Sequence, residues 1–273
     1  MTLRQSAGWT GLWGAALAAS FSPLSVQLIF AIVAIGVIGM AHGASDLAVV
    51  KRGRKLPFLA AYGVIILLCL FWWHCSPALA LPGFLLASAL HFALEDAPKG
   101  RMTERLARGV SMIATPALFH LQEYNIILHQ AGLAPALLGS VTLCMAIAGA
   151  LCAISLMITG LRRHDVRLIT GTLALLLLPP FVGFSMGFLI LHALPQTRLR
   201  RIQLGYTHYT GYLYATWPVL AAAILLAVAT TCMMYPSSDA DIKSLFAALA
   251  SLAIPHMLIT PYFEPGNSEL RQK

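Results

Sequence analysis

The stretch Gly39-Met-Ala-His-Gly-Ala-Ser-Asp46 ends a long apolar run that begins near Leu24 and stops at the basic cluster Lys51-Arg-Gly-Arg-Lys55. Residues four apart lie on one face of a helix, so His42 and Asp46 are predicted to lie together in a segment long enough to cross a bilayer. Ionisable groups at membrane depth are rare and are usually functional. The stretch therefore predicts a transmembrane helix with a polar site inside the membrane.

The spacing of this histidine and its polar neighbour recurs in three later apolar runs. The three pairs are His91 with Glu95, His192 with Gln196 and His256 with Thr260. The first three histidines lie six to nine residues before a basic cluster, so at about 1.5 Å per residue they are predicted to share one depth. His256 joins this layer if the C-terminus lies on the same side of the membrane. Four imidazoles at one depth in a helical bundle predict a common site.

The composition places the chain outside the range of soluble proteins. Of its 273 residues 59% are apolar and 10% are charged, and the mean hydropathy is +0.78. We expect a single integral membrane domain over residues 1–273, an all-α polytopic bundle of about 8–10 transmembrane helical segments. The net charge of +8 comes from short basic clusters between apolar runs, which indicates cytoplasmic loops and no nucleic-acid partner. The chain is predicted to be a multi-pass protein of the inner (plasma) membrane, surrounded by lipid.

The apolar runs predict where the chain crosses the membrane. After an uncleaved first helix, the predicted spans are 24–46, 57–75, 78–97, 109–129, 134–160, 211–235 and 244–262. The basic clusters at 51–55, 99–108, 162–167 and 198–201 are all predicted to be cytoplasmic. One straight helix over 168–195 would put the last cluster outside, but Pro179-Pro180 breaks it into pieces too short to span. The diproline therefore predicts a broken or re-entrant pair with both ends on one side.

A metal site is the chemistry that a layer of histidines indicates. Imidazole suits Fe, Cu, Zn and Ni, and neutral ligands around Fe(II) leave positions open for O₂. Asp46 and Glu95 are the candidate catalytic residues, placed either to ligate the metal or to accept the second ring N–H of a histidine. His120, inside the predicted span 109–129, is a reserve ligand. The alternative for each histidine is an interhelical hydrogen bond.

These motifs resemble the Brp/Blh family of integral-membrane carotenoid oxygenases, the beta-carotene 15,15'-dioxygenases, which cleave beta-carotene at its central double bond to give two retinals. The similarity lies in His42-Gly-Ala-Ser-Asp46, in His91-Phe92 followed by Glu95-Asp96, in the His192 segment and in Pro255-His256. The resemblance implies a non-haem Fe(2+) dioxygenase that uses O₂ and takes its carotenoid from the bilayer. Its implied iron ligands are His42, His91, His192 and His256.

Gln196 departs from the pattern of this family, which typically has a second histidine one turn after the first in the third motif. An amide is a poor iron ligand. Pro195 is expected to end or kink the helix near this point, so the fourth ligand is predicted to be His256. A diverged member that acts on another polyene is therefore one alternative.

Two other functional classes stay open on the residues alone. A membrane haem or quinone redox protein would use a pair of these histidines on facing helices, and it would leave the carboxylates without a role. A transporter would use the histidines and carboxylates of the first two motifs as a proton or metal pathway, and it predicts inverted repeats, which the sequence does not show. A colour and metal assay on the purified protein separates these classes from a non-haem iron enzyme.

Overall fold

The computed structural model describes residues 3–234 and 241–263, which fold into α-helices joined by short turns, with no β-strand among them. In chain order the helices are α1 Leu3–Ser20, α2 Leu24–Ala31, α3 Asp46–Val49, α4 Lys55–Cys75, α5 Pro77–Glu95, α6 Met102–Ala114, α7 Leu121–Gln130, α8 Pro135–Arg163, α9 Val166–Leu177, α10 Pro180–Phe188, α11 Leu194–Gln203, α12 Tyr209–Met234 and α13 Asp241–Phe263. A π-helical stretch, Ile32–Ile38, follows α2, and another, Leu189–Ala193, joins α10 to α11. The predicted all-α class is confirmed.

Six helical segments of the described chain are long and apolar enough to cross a membrane, which makes this a multi-pass membrane protein. They are Leu24–Val49, Arg52–Cys75, Pro77–Glu95, Pro135–Arg163, Tyr209–Met233 and Ile242–Phe263. Many of their large apolar side chains are exposed, as Leu67 and Phe71 of α4 are. Lipid is the surrounding in which such faces are stable. The last residue of the predicted span 211–235 lies outside the described residues.

The predicted span 109–129 is wrong, because the chain breaks there into two short helices. α6 ends at Ala114 and α7 begins only at Leu121. Pro116 lies between them and has no N–H for the helical ladder, so it removes a hydrogen bond in the middle of the run. The break is tightly packed, since a Cβ on Gly149 of α8 would lie 2.5 Å from the Ala114 carbonyl oxygen.

The predicted break at Pro179-Pro180 is confirmed. α9 ends at Leu177 and α10 begins at Pro180, with extended backbone between them. The two helices form an antiparallel hairpin: Gly183 lies against α9 carbonyl groups near the break, and Gly171, towards the other end of α9, lies against Leu191. Both ends of the hairpin therefore lie on one side, as the broken pair requires. The assignment of that side to the cytoplasm stays a prediction.

Two compact units divide the described chain. The first unit contains the residues up to Gly39 together with Phe92–Tyr124 and Thr142–Ala193, and the second contains Met40–His91, Asn125–Val141 and the residues from Leu194 onward. Helix α5 therefore gives its last turn to the first unit and its earlier turns to the second. The single domain over residues 1–273 stays a prediction.

Each unit is built around one central helix. In the first unit α10 packs against α1, α2, α6 and α9, and Met186 and Leu189 are fully buried. In the second unit α13 packs against α4 and α12, and Trp73 of α4 is fully buried. The π-helical extension of α10 contains His192, and α13 contains His256. The helix at the centre of each unit thus supplies a candidate ligand.

The run that contains His42 is less regular than predicted. After α2 the chain continues as a π-helical stretch, and two 3-10 turns, Gly39–Ala41 and Gly43–Ser45, flank His42. Glycine is needed at position 39, because a Cβ there would lie 2.5 Å from the ring of Phe188. Irregular stretches of this kind inside a helix often mark functional sites.

Candidate metal centre

Two hydroxyl groups hold the backbone on either side of His42. Tyr212, which is fully buried on α12, donates a hydrogen bond to the carbonyl oxygen of Ala41 (2.8 Å). The Ser45 hydroxyl donates to the carbonyl oxygen of His42 (2.6 Å). Carbonyl groups that lose their helical partners are costly at membrane depth. These two bonds therefore stabilise the position of His42.

Asp46 is the acceptor for two side chains of α13. Its Oδ2 lies 2.5 Å from Nδ1 of His256, and it accepts a hydrogen bond from the Thr260 hydroxyl (2.8 Å). Asp46 is only 2% exposed, so both bonds are shielded from water. The sequence spacing had paired this carboxylate with His42, whereas the structure gives it His256 as a partner. A carboxylate bound to Nδ1 fixes the tautomer and the orientation of the ring.

Three imidazoles lie together in the second unit. The ring of His256 is 5.2 Å from the ring of His42 and 5.3 Å from the ring of His91, centroid to centroid, and both pairs are edge-to-face. Gly43 lies against this group, since a Cβ there would be in ordinary van der Waals contact with His256, 3.7 Å from Nδ1. The second unit thus brings three of the four predicted ligands to one place, with His256 in the middle.

The first unit contains the fourth histidine and a second carboxylate pair. Nδ1 of His192 lies 2.7 Å from Oδ1 of Asp96. The side chains are 1% and 3% exposed, so this pair is more deeply buried than the pair of His256 and Asp46, which are 10% and 3% exposed. Asp96 follows the last residue of α5, and its N–H still donates to the carbonyl of Phe92 (3.0 Å). The end of α5 therefore points its carboxylate at the π-helical stretch.

Glu95 is the remaining acidic residue of the site, and it is half-buried. In the first unit its carboxylate lies within 4.8 Å of a ring nitrogen of His192. Within α5 it also lies within 4.8 Å of a ring nitrogen of His91, one helical turn earlier. That separation suits atoms that share a metal ion. The prediction that Glu95 ligates a metal or orients a ligand therefore stays open, with ligation now geometrically accessible.

Aromatic side chains enclose His192. Phe92 meets the imidazole edge-on with the ring centroids 4.9 Å apart, and Phe188 stacks on it at 5.4 Å. Phe184, one turn earlier on α10, stacks in turn on Phe188 at 5.9 Å. Such rings exclude water and extend an apolar face from the histidine along the helix.

The helix does not end at Pro195, so that part of the expectation is wrong, whereas a kink near this point stays a prediction. The π-helical stretch Leu189–Ala193 runs directly into α11, which begins at Leu194 and contains both Pro195 and Gln196. A π-helical turn is a local adjustment that lets a helix continue past such an irregular position. Gln196 is half-buried in α11, and its amide is the group present where the family pattern has an imidazole.

The reserve candidate His120 has a different set of neighbours. Its Nε2 lies 3.3 Å from the carbonyl oxygen of Leu177, and its Nδ1 lies 3.8 Å from Glu123. Leu177 is the last residue of α9, whose final carbonyl groups have no helical partner because Pro179-Pro180 follows. His120 therefore contributes to the hairpin break.

Sequence reasoning missed Asp96 and Tyr212. Asp96 stands beside Glu95 in the quoted motif, but a spacing of four residues selects only Glu95. Two adjacent acids at the end of an apolar run were the available signal. Tyr212 belongs to a tyrosine-rich segment at the start of α12, and nothing in its spacing distinguishes it from its exposed neighbour Tyr214.

The donor set fits a transition metal. If Nδ1–H of His192 and of His256 donates to its aspartate, Nε2 of each ring keeps the lone pair that a metal needs. Imidazole nitrogens combined with one carboxylate, here that of Glu95, are the ligand types of non-haem Fe(II) oxygenases. The buried aspartates are also the outer partners that metal-ligating histidines almost always have.

The comparisons with known proteins agree with this chemistry. A family model described as beta-carotene 15,15'-dioxygenase matches residues 33–264. No curated protein and no solved structure matches the chain. The matched region covers most of the sequence and includes all four histidines, Asp46 and Glu95, and it confirms the resemblance to the Brp/Blh family. The chain therefore belongs to the beta-carotene 15,15'-dioxygenase family.

Proposed function

We propose that this protein is a membrane non-haem Fe(II) dioxygenase that cleaves beta-carotene, or a closely related carotenoid, with O₂ at the central double bond to give retinal. Its family supports a carotenoid dioxygenase. The observation that carries the proposal is the buried His192–Asp96 pair with the Glu95 carboxylate beside it. A dry imidazole oriented by one carboxylate and close to another is an arrangement that metal binding explains directly.

The proposed iron ligands are His42, His91, His192 and His256, with Glu95 as an additional anionic donor. Glu95 is included because it lies one turn after His91 on α5, with its carboxylate within 4.8 Å of a ring nitrogen of that histidine. His91 belongs to the histidine group of the second unit and Glu95 to the His192 group of the first.

The two aspartates are proposed as positioning residues. Asp46 accepts a hydrogen bond from Nδ1–H of His256, and Asp96 accepts one from Nδ1–H of His192. Each bond leaves the lone pair on Nε2 to ligate a metal and makes the ring more basic. Neither carboxylate is accessible to water, so neither hydrogen bond competes with solvent. Loss of one aspartate should therefore weaken metal binding without removing a ligand.

Iron, when bound, supplies the activation of O₂, which does not react with a closed-shell polyene unaided. The overall change is balanced without a reductant: the central carbon–carbon double bond breaks, and each of its carbons takes one oxygen atom of O₂ as a carbonyl. The residues of the chain hold the ligands, exclude water and orient the polyene. The aromatic rings around His192 fit the last two tasks.

A substrate dissolved in the bilayer agrees with these surroundings. A carotenoid is an apolar rod about as long as the ~30 Å hydrocarbon core. The stacked rings of Phe184 and Phe188 continue the apolar face from His192 along α10, and a polyene can lie against such rings. We place the protein in the inner (plasma) membrane, with the basic loops between the spans on the cytoplasmic side.

Gln196 favours a second candidate, the same chemistry on another polyene. The amide of Gln196, four residues after His192 in the sequence, is a hydrogen-bonding group where the family pattern has an imidazole. A carotenoid with a polar ring or end group could form a hydrogen bond with this amide, whereas beta-carotene, a hydrocarbon, could not. Cleavage at a different double bond would then give apocarotenals other than retinal.

The test is expression in a host that makes beta-carotene, followed by pigment extraction and an iron assay on the purified protein. We expect loss of the yellow pigment, formation of retinal, and about one iron per chain. The matched control is His192→Ala, which should insert in the membrane but leave the pigment intact. Unchanged pigment together with an iron-free wild-type protein would overturn the proposal, whereas other apocarotenals would favour the second candidate.

A further inference from the structure

A polar pocket of about 310 Å³ lies in the first unit, and none of the four candidate ligand histidines lines it. Its walls come from the start of α6 and the last turns of α8. The lining residues are Arg101, Thr103, Glu104, Ser155, Thr159, Arg162 and Arg163. Three arginines face one carboxylate, so the pocket is positively charged overall.

The single carboxylate of the pocket is already neutralised. Arg163 binds both oxygens of Glu104 (2.8 and 2.9 Å), and Arg108, one turn further along α6, binds it at 3.0 Å. The hydrogen bond from Arg163 is the main cause that holds the pKa of Glu104 below its usual value, so this group stays ionised at neutral pH. Glu104 therefore ties α6 to α8 and fixes the shape of the pocket.

Arg101 and Arg162 are left to carry the charge of the pocket. Neither side chain makes a hydrogen bond or ion pair with any residue of 3–234 or 241–263. The hydroxyls of Ser155 and Thr159 line the same space, although Thr159 donates to the Ser155 carbonyl (2.8 Å). Two available guanidinium groups over a hydroxyl-lined pocket form a site for an anion with several oxygen acceptors.

The position of the pocket on α8 identifies the source of that anion. α8 is a membrane-spanning segment that ends at Arg163, so the pocket lies where the hydrocarbon gives way to the headgroup layer. Below the pocket, Leu151, Ile154 and Ile158 form an exposed apolar stripe at helical spacing on α8. A phospholipid fits both surfaces, because its phosphate would lie in the basic pocket and its two acyl chains would lie along the apolar stripe below.

We propose that this pocket binds the phosphate headgroup of an anionic phospholipid, with its acyl chains along the exposed face of α8. Arg101 and Arg162 are the phosphate ligands, and the Glu104–Arg163 pair is the support that holds the pocket open. Basic pockets between membrane helices are known physical hosts for anionic headgroups. The site is independent of the proposed iron chemistry, because none of its residues belongs to the candidate metal centre.

The test measures lipid bound to the full-length protein by native mass spectrometry from detergent, with phosphatidylglycerol and phosphatidylcholine offered in equal amounts. We expect selective retention of phosphatidylglycerol, and a loss of about thirtyfold in its affinity for the Arg101→Gln/Arg162→Gln variant, which removes two interfacial charges. The matched control is Lys51→Gln/Arg52→Gln, which removes two exposed charges at the start of another span and should change affinity by less than about threefold.

Three outcomes would overturn the proposal. The first is equal retention of the two lipids by the wild type. The second is an equal loss in the pocket variant and in the control, which would indicate general charge attraction. The third is displacement of the lipid by inorganic phosphate at matched concentration, which would make the pocket a phosphate site. Thermal stability and iron content of the variants report that they remain folded.

Discussion

Both units contain a buried aspartate bound to Nδ1 of a buried histidine, but the two pairs are held differently. In the second unit, Oδ2 of Asp46 accepts from His256 and also from the Thr260 hydroxyl. In the first unit, Oδ1 of Asp96 accepts from His192. The pair of Asp46 and His256 is thus braced by a third side chain, Thr260, which lies on the same helix as His256. Its carboxylate should keep its orientation better when either partner is perturbed.

The surroundings of the two histidines differ as well. His256 has the imidazoles of His42 and His91 as neighbours, all able to act as neutral donors. His192 has aromatic rings and the Glu95 carboxylate. The histidine group of the second unit is thus rich in nitrogen donors, whereas the surroundings of His192 in the first unit combine a negative charge with dry walls. The first unit should therefore tolerate less change.

The largest effect is expected from removing the histidines themselves. His192→Ala should lower iron affinity by more than about 100-fold. A factor of about 100 is the upper limit for mutating a residue that only hydrogen-bonds to a metal ligand. His256→Ala should also lose iron, but less completely, because two imidazoles remain beside it. Iron per purified protein and retinal yield are the measurements. His74→Ala, an exposed histidine at the end of α4, is the control. Full iron content in both ligand variants would refute the ligand assignment.

Glu95→Gln ranks next and tests whether the first unit supplies the charge. The change keeps the size of the side chain but removes its negative charge and makes it a poor donor to Fe(II). If Glu95 is a ligand, iron affinity should fall by more than about 100-fold. Chelator competition measures this directly. Full iron with a slower reaction would instead make Glu95 a residue that orients a histidine.

Asp96→Asn and Asp46→Asn compare the two pairs directly. Each should reduce iron affinity by about 10 to 100-fold, the range for outer partners of metal-bound histidines. The reduction should be larger for Asp96→Asn, because Thr260 can still hold an asparagine oxygen at position 46 while no described hydroxyl does so at 96. Equal reductions would show that the brace on Asp46 has no consequence.

The sequence anticipated the fold wherever a local rule was sufficient. Hydropathy located the six long spans but wrongly predicted a seventh over 109–129, and two consecutive prolines made the break after Leu177 predictable. A single proline was not decisive, because Pro82 and Pro218 lie inside helices while Pro116 lies in a break. The difference depends on tertiary packing, such as the contact of Gly149 with the end of α6, and not on the residue type.

The site was anticipated only as far as spacing along one helix allows. The motifs pointed to the histidines, and three of them lie together in the second unit. The partner of His256 is 210 residues away in sequence, and the partner of His192 is 96 away. No periodicity connects such residues. Spacing therefore paired Asp46 with His42 and passed over Asp96.

Gln196 should matter less than any of these residues. Its amide is neutral and is a weaker donor to Fe(II) than imidazole, so Gln196→Ala should change iron affinity by less than about threefold. Gln196→His, which restores the family pattern, should be tolerated. Iron content and product profile are measured side by side with His256→Ala. If Gln196→Ala empties the site while His256→Ala does not, the proposed ligand set is wrong.

The mildest test of the brace on Asp46 is Thr260→Val, which removes the hydroxyl and keeps the shape of the side chain. A neutral hydrogen bond contributes about 0.5–1.5 kcal/mol net, so iron affinity should fall by roughly two- to tenfold if the carboxylate loses some of its order. The bond from His256 to Asp46 stays in place, which is why the loss should be smaller than for Asp46→Asn.

Thr216→Val is the matched control, because Thr216 is also a buried threonine of the second unit. Its hydroxyl donates a hydrogen bond to the Tyr212 carbonyl of its own helix (3.0 Å). A loss equal to the control would mean that Thr260 does not brace the carboxylate. The Asp46→Asn/Thr260→Val double variant completes the comparison: without the brace, its iron affinity should fall to that of Asp96→Asn.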